Sequence, residues 1–155
     1  MRIHAFRYDQ LIKYFFIGVL LICTSLSSEA QDNLVVIGNQ TGVPADLKMS
    51  DLKAVFRGER QRWSNGTKVV IAMIKSTTPL GNEISQKIYS MNGDEVRGFW
   101  AGLSFAGKSD PPNVFNTTAE VEVFVSQNPG AIAILDKTTN TPDTKTILVG
   151  GKKTF

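Results

Sequence analysis

Four short runs of apolar residues constrain the fold of this chain more than any other feature of its sequence. The runs cover residues 34–38, 69–74, 131–135 and 146–149, and they are rich in valine and isoleucine. Three of them are almost continuously apolar instead of alternating with polar residues, which is typical of strands that are buried on both faces of a sheet. The sequence therefore predicts a sheet that is covered by helices on both sides.

Helical patterns separate these runs. One helix is predicted to begin with Ser50 as its N-cap, and a short helix is predicted to follow Pro79. Two more are predicted to begin at Asn92 and Thr117, because each is followed three positions later by glutamate, the spacing of a reciprocal cap. Residues 108–116 are predicted to form a loop. Strands that alternate with helices predict a single α/β domain, with a mostly parallel sheet flanked by helices.

The first thirty residues have the pattern of an export signal. Basic residues precede a ten-residue apolar stretch, 14–23, which is too short to cross a hydrocarbon layer of about 30 Å as a helix. Small residues at Ser28 and Ala30 fit the positions that a signal peptidase reads. We therefore predict a signal peptide over residues 1–30, cleaved after Ala30, and one periplasmic or secreted domain over residues 31–155. The alternative is that the segment is retained as an uncleaved anchor.

The predicted mature chain lacks the side chains on which most catalysis depends. The only cysteine, Cys23, and the only histidine, His4, lie in the predicted signal peptide. The mature part therefore has no thiol nucleophile, no imidazole base and no disulfide. It carries 14 basic and 12 acidic residues, a net charge of +2, and its basic residues are scattered, which predicts no binding to nucleic acid. We expect no enzymatic activity, no cofactor and no metal site.

Three stretches of the chain carry distinctive motifs. In residues 47–71, a helix ending in Phe-Arg-Gly is followed by a Trp-Ser-Asn-Gly turn and a strand. A helix with Phe-Trp then leads to Phe105-Ala106-Gly107 and Pro111-Pro112, and residues 128–132 read Asn-Pro-Gly-Ala-Ile. These stretches resemble the substrate-binding proteins of phosphate-type ABC transporters, which have a type 2 periplasmic-binding-protein fold, and the likeness is greatest to the short, single-lobe exported members. The matching residues of the first stretch are Phe56, Gly58, Trp63, Ser64 and Gly66.

The resemblance spans most of residues 34–135, and it implies one lobe of a solute-binding fold that captures phosphate or a similar small oxyanion for an ABC-type transport system. In the family, the strand after the Trp turn leads to an arginine and a Gly-Ser-Gly-Thr helix start that hold the phosphate. This chain has instead Lys75, Ser76, Thr77 and Thr78 at that place. A basic residue, three hydroxyls and a helix N-terminus suit an oxyanion. The alternative for the hydroxyls is simple N-capping.

A second group of predicted ligand-binding residues follows the first strand. The group is Asn39, Gln40, Thr41 and Gly42. In a parallel sheet the ends of the strands meet at one edge, so we expect this loop to lie beside Lys75 and to add backbone amides to the same ligand site. Its alternative is an ordinary turn. Trp63 and Trp100 are predicted to be structural, because tryptophans at such spacings usually pack in a core.

Two classes of function are consistent with these patterns. The first is the solute-binding module, whose single lobe leaves an open site unless a second wall comes from a homodimer or an envelope protein. The second is a non-catalytic envelope interaction or accessory protein that keeps the lobe as a scaffold and binds no small ligand. Neither requires a membrane span after the signal has been cleaved.

Overall fold

The structure, a computed structural model, describes residues 33–138 and 141–155. The predicted signal peptide and its cleavage site lie outside the described residues. Within the described ranges, no helix combines the length and the apolar character needed to cross a membrane. The described residues belong to one compact unit.

Six strands and four helices make up this unit. The strands are β1 (Val35–Asn39), β2 (Asp46–Leu47), β3 (Val70–Ile74), β4 (Asn113–Phe115), β5 (Ala131–Leu135) and β6 (Thr144–Val149). The helices are α1 (Met49–Phe56), α2 (Pro79–Ile84, continued by a π-helical turn over Ser85–Tyr89), α3 (Gly93–Phe105) and α4 (Thr118–Gln127). The predicted α/β fold class is confirmed. All four predicted strands and all four predicted helices are present, within a few residues of their expected positions.

The sheet has the strand order β2-β6-β1-β5-β3-β4. The pairs β2–β6, β3–β5 and β3–β4 are parallel. Strand β1, however, runs antiparallel to both of its neighbours, β5 and β6. The sheet is therefore mixed around its central strand. A continuously apolar run does not encode strand direction, because a strand buried on both faces has the same composition in either direction.

The core consists of one apolar layer on each face of the sheet. Along β1, Val36 belongs to the layer that includes the buried faces of α1 and α3, whereas Val35 and Ile37 belong to the layer with α4. All three side chains are buried. Since both faces are covered, each strand position needs an apolar residue, which is why the runs in the sequence do not alternate.

Two of the predicted helix starts are confirmed in detail. The Asn92 side chain accepts hydrogen bonds from the backbone N–H groups of Asp94 and Glu95, and the Glu95 carboxylate accepts one from the backbone N–H of Asn92 at 2.7 Å. Thr117 and Glu120 form the same reciprocal cap at α4. The hydrogen bonds from the backbone and side chain of Thr117 lower the pKa of the Glu120 carboxyl.

The sequence prediction was wrong at three other places. Helix α1 begins at Met49, with Lys48 at its N-cap and no side-chain cap, so Ser50 lies inside the first turn. Strand β4 lies within residues 108–116, which were predicted to be a loop, and the two-residue strand β2 was also missed. Strands of two and three residues at the edges of a sheet are too short for a periodic pattern to reveal them.

Candidate functional site

The two groups of residues predicted to share one ligand site lie at opposite ends of the sheet. Because β1 is antiparallel to β5 and β5 is parallel to β3, the loop after β1 opens at the end where β3 begins. Asn39, Gln40, Thr41 and Gly42 lie in or directly before that loop. Lys75, Ser76, Thr77 and Thr78 follow the end of β3, on the other side. The prediction of a single shared site is therefore wrong, and the direction of β1 is the reason.

The contacts of the first group are those of a structural turn. The buried Asn39 amide donates to the carbonyl oxygens of Val125 and Ser126, at 2.8 and 2.9 Å, and its Oδ1 accepts from the backbone N–H of Thr41 at 2.8 Å. These bonds fix the end of β1 to the C-terminal turn of α4. Gly42 has a φ of +92°, which favours glycine. The Asn39 side chain thus serves the fold at this end of the sheet.

Two of the three hydroxyls in the second group are also used by the fold. Thr78 Oγ1 accepts from the backbone N–H of Gly81 at 3.0 Å and donates to the carbonyl oxygen of Lys75 at 2.8 Å, so Thr78 is the N-cap of α2. The buried Ser76 hydroxyl donates to the carbonyl oxygen of Gly93 at 2.9 Å. Lys75 and Thr77 are exposed. Among the described residues, Lys75 has no ion-pair partner.

Two glycines allow the loop after β3 to pack against the starts of two helices. A Cβ atom at Gly81 would lie 2.2 Å from the Lys75 carbonyl oxygen, and one at Gly93 would lie 2.4 Å from the Ser76 carbonyl oxygen. Both distances are far below van der Waals contact. The backbone of Lys75 and Ser76 is therefore held between α2 and α3, which fixes the position from which the Lys75 side chain extends.

A groove of about 810 Å³ begins at Lys75 and runs between α3 and β4. Sequence reasoning missed this groove. Its walls are mainly apolar, and the apolar lining includes Met73, Val96, Trp100, Ala101 and Val114. The helical spacing of apolar residues in α3 predicts which face of the helix packs in the core. Ala101 and Phe105 lie next to that face and line an open surface. Only the placement of the edge strand β4 reveals that this surface is concave.

The two ends of the groove differ in chemistry. Helix α3 begins next to Ser76, and the backbone N–H of Lys75 donates to the carbonyl oxygen of Phe115 at 2.8 Å, so the residue after β4 lies near Lys75. The polar end is lined by Lys75, Ser76, Arg97 and Asn116. The other end is lined by Phe105, Pro111 and Pro112, together with Ser104, whose buried hydroxyl has no hydrogen-bond partner among the described residues. None of the described residues that line the groove is acidic.

The charges at the polar end are unequal. Arg97 forms an ion pair with Asp94 at 2.6 Å, one turn earlier on α3. Its charge is therefore offset locally, although the pair is exposed and weak. Lys75 has no such partner among the described residues, so it supplies the uncompensated positive charge of the groove.

The floor of the groove is fixed by a buried hydrogen-bonded pair. Trp100 Nε1 donates to the Tyr89 hydroxyl at 3.0 Å, and that hydroxyl donates to the carbonyl oxygen of Phe56 at 2.6 Å. Burial raises the pKa of the Tyr89 hydroxyl. Trp63 is buried as well, and its Nε1 donates to the carbonyl oxygen of Gly130 at 2.9 Å. The structural role predicted for both tryptophans is thus confirmed, and Trp100 also lines the groove.

No protein-family model matches this chain, and no curated protein matches it in sequence. Solved structures do match it in fold. An ABC-type phosphate transport receptor from Vibrio cholerae aligns with a TM-score of 0.55 and 16% identity, over 80% of this chain and 49% of the receptor. A putative phosphate ABC transporter substrate-binding protein with bound phosphate, from Clostridium perfringens, aligns with a TM-score of 0.58 and 14% identity, over 79% and 47%. PstS from Borrelia burgdorferi aligns with a TM-score of 0.59 and 16% identity, over 78% and 48%.

These likenesses show a shared fold. The chain has the α/β architecture of one part of such binding proteins, and it spans about half the length of each of the three.

Proposed function

We propose that this chain is an exported, non-catalytic solute-binding module that takes a small oxyanion, with phosphate as the first candidate, for an ABC-type transport system. Its fold is shared with three solved proteins, two of which have names that describe phosphate transport or bound phosphate. The ligand position we propose is the end of β3, at Lys75 and Thr77, which the fold leaves accessible. Asn39 and the loop that follows it have no part in this site.

The observation that carries the proposal is the uncompensated charge of Lys75 at the end of a groove whose described lining residues include no carboxylate. An anion gains from a cation that is not already paired. The carboxylates of Glu83 and Asp136 line the neighbouring pocket at the start of α2 instead of the groove itself. The N-terminus of α2 contributes less to anion binding than its sequence suggests. Thr78 already satisfies the N–H of Gly81, and Pro79 has no N–H to offer.

Binding by this lobe alone is expected to be weak. An open site keeps water near the ligand, and water lowers the strength of each ionic hydrogen bond. A homodimer or an envelope protein that covers the groove would supply the missing wall.

Calorimetric titration of the protein from Gln31 onward with phosphate and with sulfate tests this function. We expect binding that Lys75→Gln weakens by about 2- to 5-fold, the range of an exposed ion pair, and that Thr77→Val also weakens. Lys153→Gln removes an exposed lysine elsewhere and should have no effect. Absence of heat, or heat that Lys75→Gln and Thr77→Val leave unchanged, would exclude the site. Thr78 is unsuitable for this test, because its hydroxyl caps α2.

A second candidate function is the accessory scaffold that binds another protein instead of a small ligand. Phe105, at the end of α3, is 94% exposed, and Val114, within the edge strand β4, is 58% exposed. Exposed apolar residues that cluster are typical of interaction surfaces. If the partner is a second copy, sedimentation velocity should show a dimer that Phe105→Ser converts to monomer. Val123→Ser, on the opposite face of the sheet and also half-exposed, is the matched control. A monomer at all concentrations would exclude the homodimer.

A further inference from the structure

We infer that the groove between α3 and β4 binds an amphiphile that has a single alkyl chain and a carboxylate head, with the head at Lys75 and the chain along α3. The head position rests on the proposed function, because it uses the same lysine. The chain position does not, since it depends on the apolar part of the groove.

The size of the groove suits one such molecule. From Val96 to Phe105 it follows nine residue steps of α3, which at the rise of an α-helix is about 13.5 Å. Its volume of about 810 Å³ lies in the range of about 300–1,000 Å³ that is usual for small-molecule sites. Such sites are mostly apolar with a few polar groups that fix orientation, and that description fits this groove.

The polarity of the groove determines the orientation of the ligand. Lys75 and Arg97 lie at one end, and Phe105, Pro111 and Pro112 lie at the other. A molecule that is charged at one end only matches this distribution. A small inorganic anion would leave the apolar part of the groove, including the exposed ring of Phe105, in contact with water.

The charge of the groove determines the sign and the size of the head group. The ion pair between Arg97 and Asp94 leaves Lys75 as the single uncompensated charge. A carboxylate head is a monoanion and balances that charge, whereas a cationic head does not fit.

A peptide strand fits the groove less well than an alkyl chain. Strand addition needs a row of unpaired backbone groups, and β4 offers only three residues. Pro111 and Pro112 directly precede it, and proline has no N–H to donate.

The first test measures the affinity of hexanoate, octanoate and decanoate for the protein from Gln31 onward, which contains the whole compact unit. Each added methylene should strengthen binding about 2- to 4-fold, where 4-fold corresponds to complete burial. Decyltrimethylammonium should bind at least about 5-fold more weakly than decanoate. Affinity that is independent of chain length, or equal for the cationic amphiphile, would overturn the inference.

Two variants locate the ligand. Ala101→Trp fills the groove from the exposed side of α3 and should weaken decanoate binding by about 10-fold or more, while Ala119→Trp on α4, on the other face of the sheet, should leave it unchanged. Lys75→Gln should weaken decanoate but not decan-1-ol. Equal effects of the two tryptophan variants would place the ligand elsewhere and overturn the inference. The chain-length series on the unmodified protein remains decisive if a variant does not fold.

Phosphate and decanoate titrations together separate this inference from the proposed function. Lys75-dependent phosphate binding, with decanoate no tighter than acetate, would exclude the amphiphile and leave the oxyanion function in place. Chain-length-dependent decanoate binding without any phosphate binding would support the amphiphile and exclude the small oxyanion. A dimer that Ala101→Trp dissociates, with no decanoate binding, would assign the groove to a second copy and overturn the inference.

Discussion

At the scale of single residues, the Tyr89 hydroxyl joins three parts of the molecule. It accepts from Trp100 on α3 and donates to the carbonyl oxygen of Phe56 at the end of α1, and its own ring lies at the end of the helical segment that begins with α2. The environment is apolar, so both hydrogen bonds are shielded from water. Removal of the hydroxyl would leave two buried polar groups without partners.

Stability at alkaline pH should depend on Tyr89. In the unfolded chain a tyrosine ionises near pH 10, whereas burial raises the pKa of Tyr89 in the folded protein. The unfolded state therefore releases a proton first, and the free energy of unfolding should fall as pH rises above about 10, by up to about 1.4 kcal/mol per pH unit. Urea unfolding at pH 9 to 11 measures this slope.

The variant Tyr89→Phe isolates the contribution of this hydroxyl. At neutral pH it should lose about 1–3 kcal/mol, the cost of unpaired buried groups. The two proteins differ only in this hydroxyl, so the difference between their two slopes reports on Tyr89. Equal alkaline slopes would show that Tyr89 ionises in the folded state as it does in the unfolded chain.

At the scale of the elements, the position of the Lys75 loop depends on how α3 begins. Gly93 is the first residue of that helix, and a side chain there would meet the Ser76 carbonyl oxygen. Gly98 lies on the same helix with no atom within 4 Å of the position that a Cβ would occupy. The two glycines therefore serve different purposes, although both lie on one helix.

Alanine at these two positions should change stability in opposite directions. Gly98→Ala should raise the free energy of unfolding by about 0.5–1 kcal/mol, because alanine favours a helix interior. Gly93→Ala should lower it by about 1–3 kcal/mol, because the backbone of Ser76 must move to admit the methyl group. Urea denaturation of both variants measures the difference. If both variants were more stable than the unmodified protein, the start of α3 would not be in tight contact with the Lys75 loop.

The elements that sequence patterns predicted well are those with local signals. The reciprocal caps of Asn92 and Thr117 involve residues only three positions apart, so the sequence contains the whole interaction. Ser50 has the right chemistry for a cap, yet α1 begins earlier, with the buried Leu52, Val55 and Phe56 packed in the core. Strand β4 forms because it pairs with β3, and its three residues contain no sequence pattern that predicts this pairing.

At the scale of the whole molecule, the candidate site was predicted only in part. Lys75 and Thr77 are accessible where the sequence placed them, after a buried strand. Asn39 would lie at the same place only if β1 ran parallel to its neighbours. Strand direction depends on pairing between distant segments, and local composition does not encode it. The groove escaped prediction for a related reason, since its walls come from α3 and β4, which touch only in the folded molecule.

The central position of β1 has a consequence for synthesis. Val36 pairs with Ile134 on one side and with Ile147 on the other, both roughly a hundred positions further along the chain. A growing polypeptide therefore exposes the apolar residues of β1 long before either neighbour exists. Strand β1 gains both of its neighbours only after β6 has been synthesised, so its apolar side chains remain unpaired for most of translation.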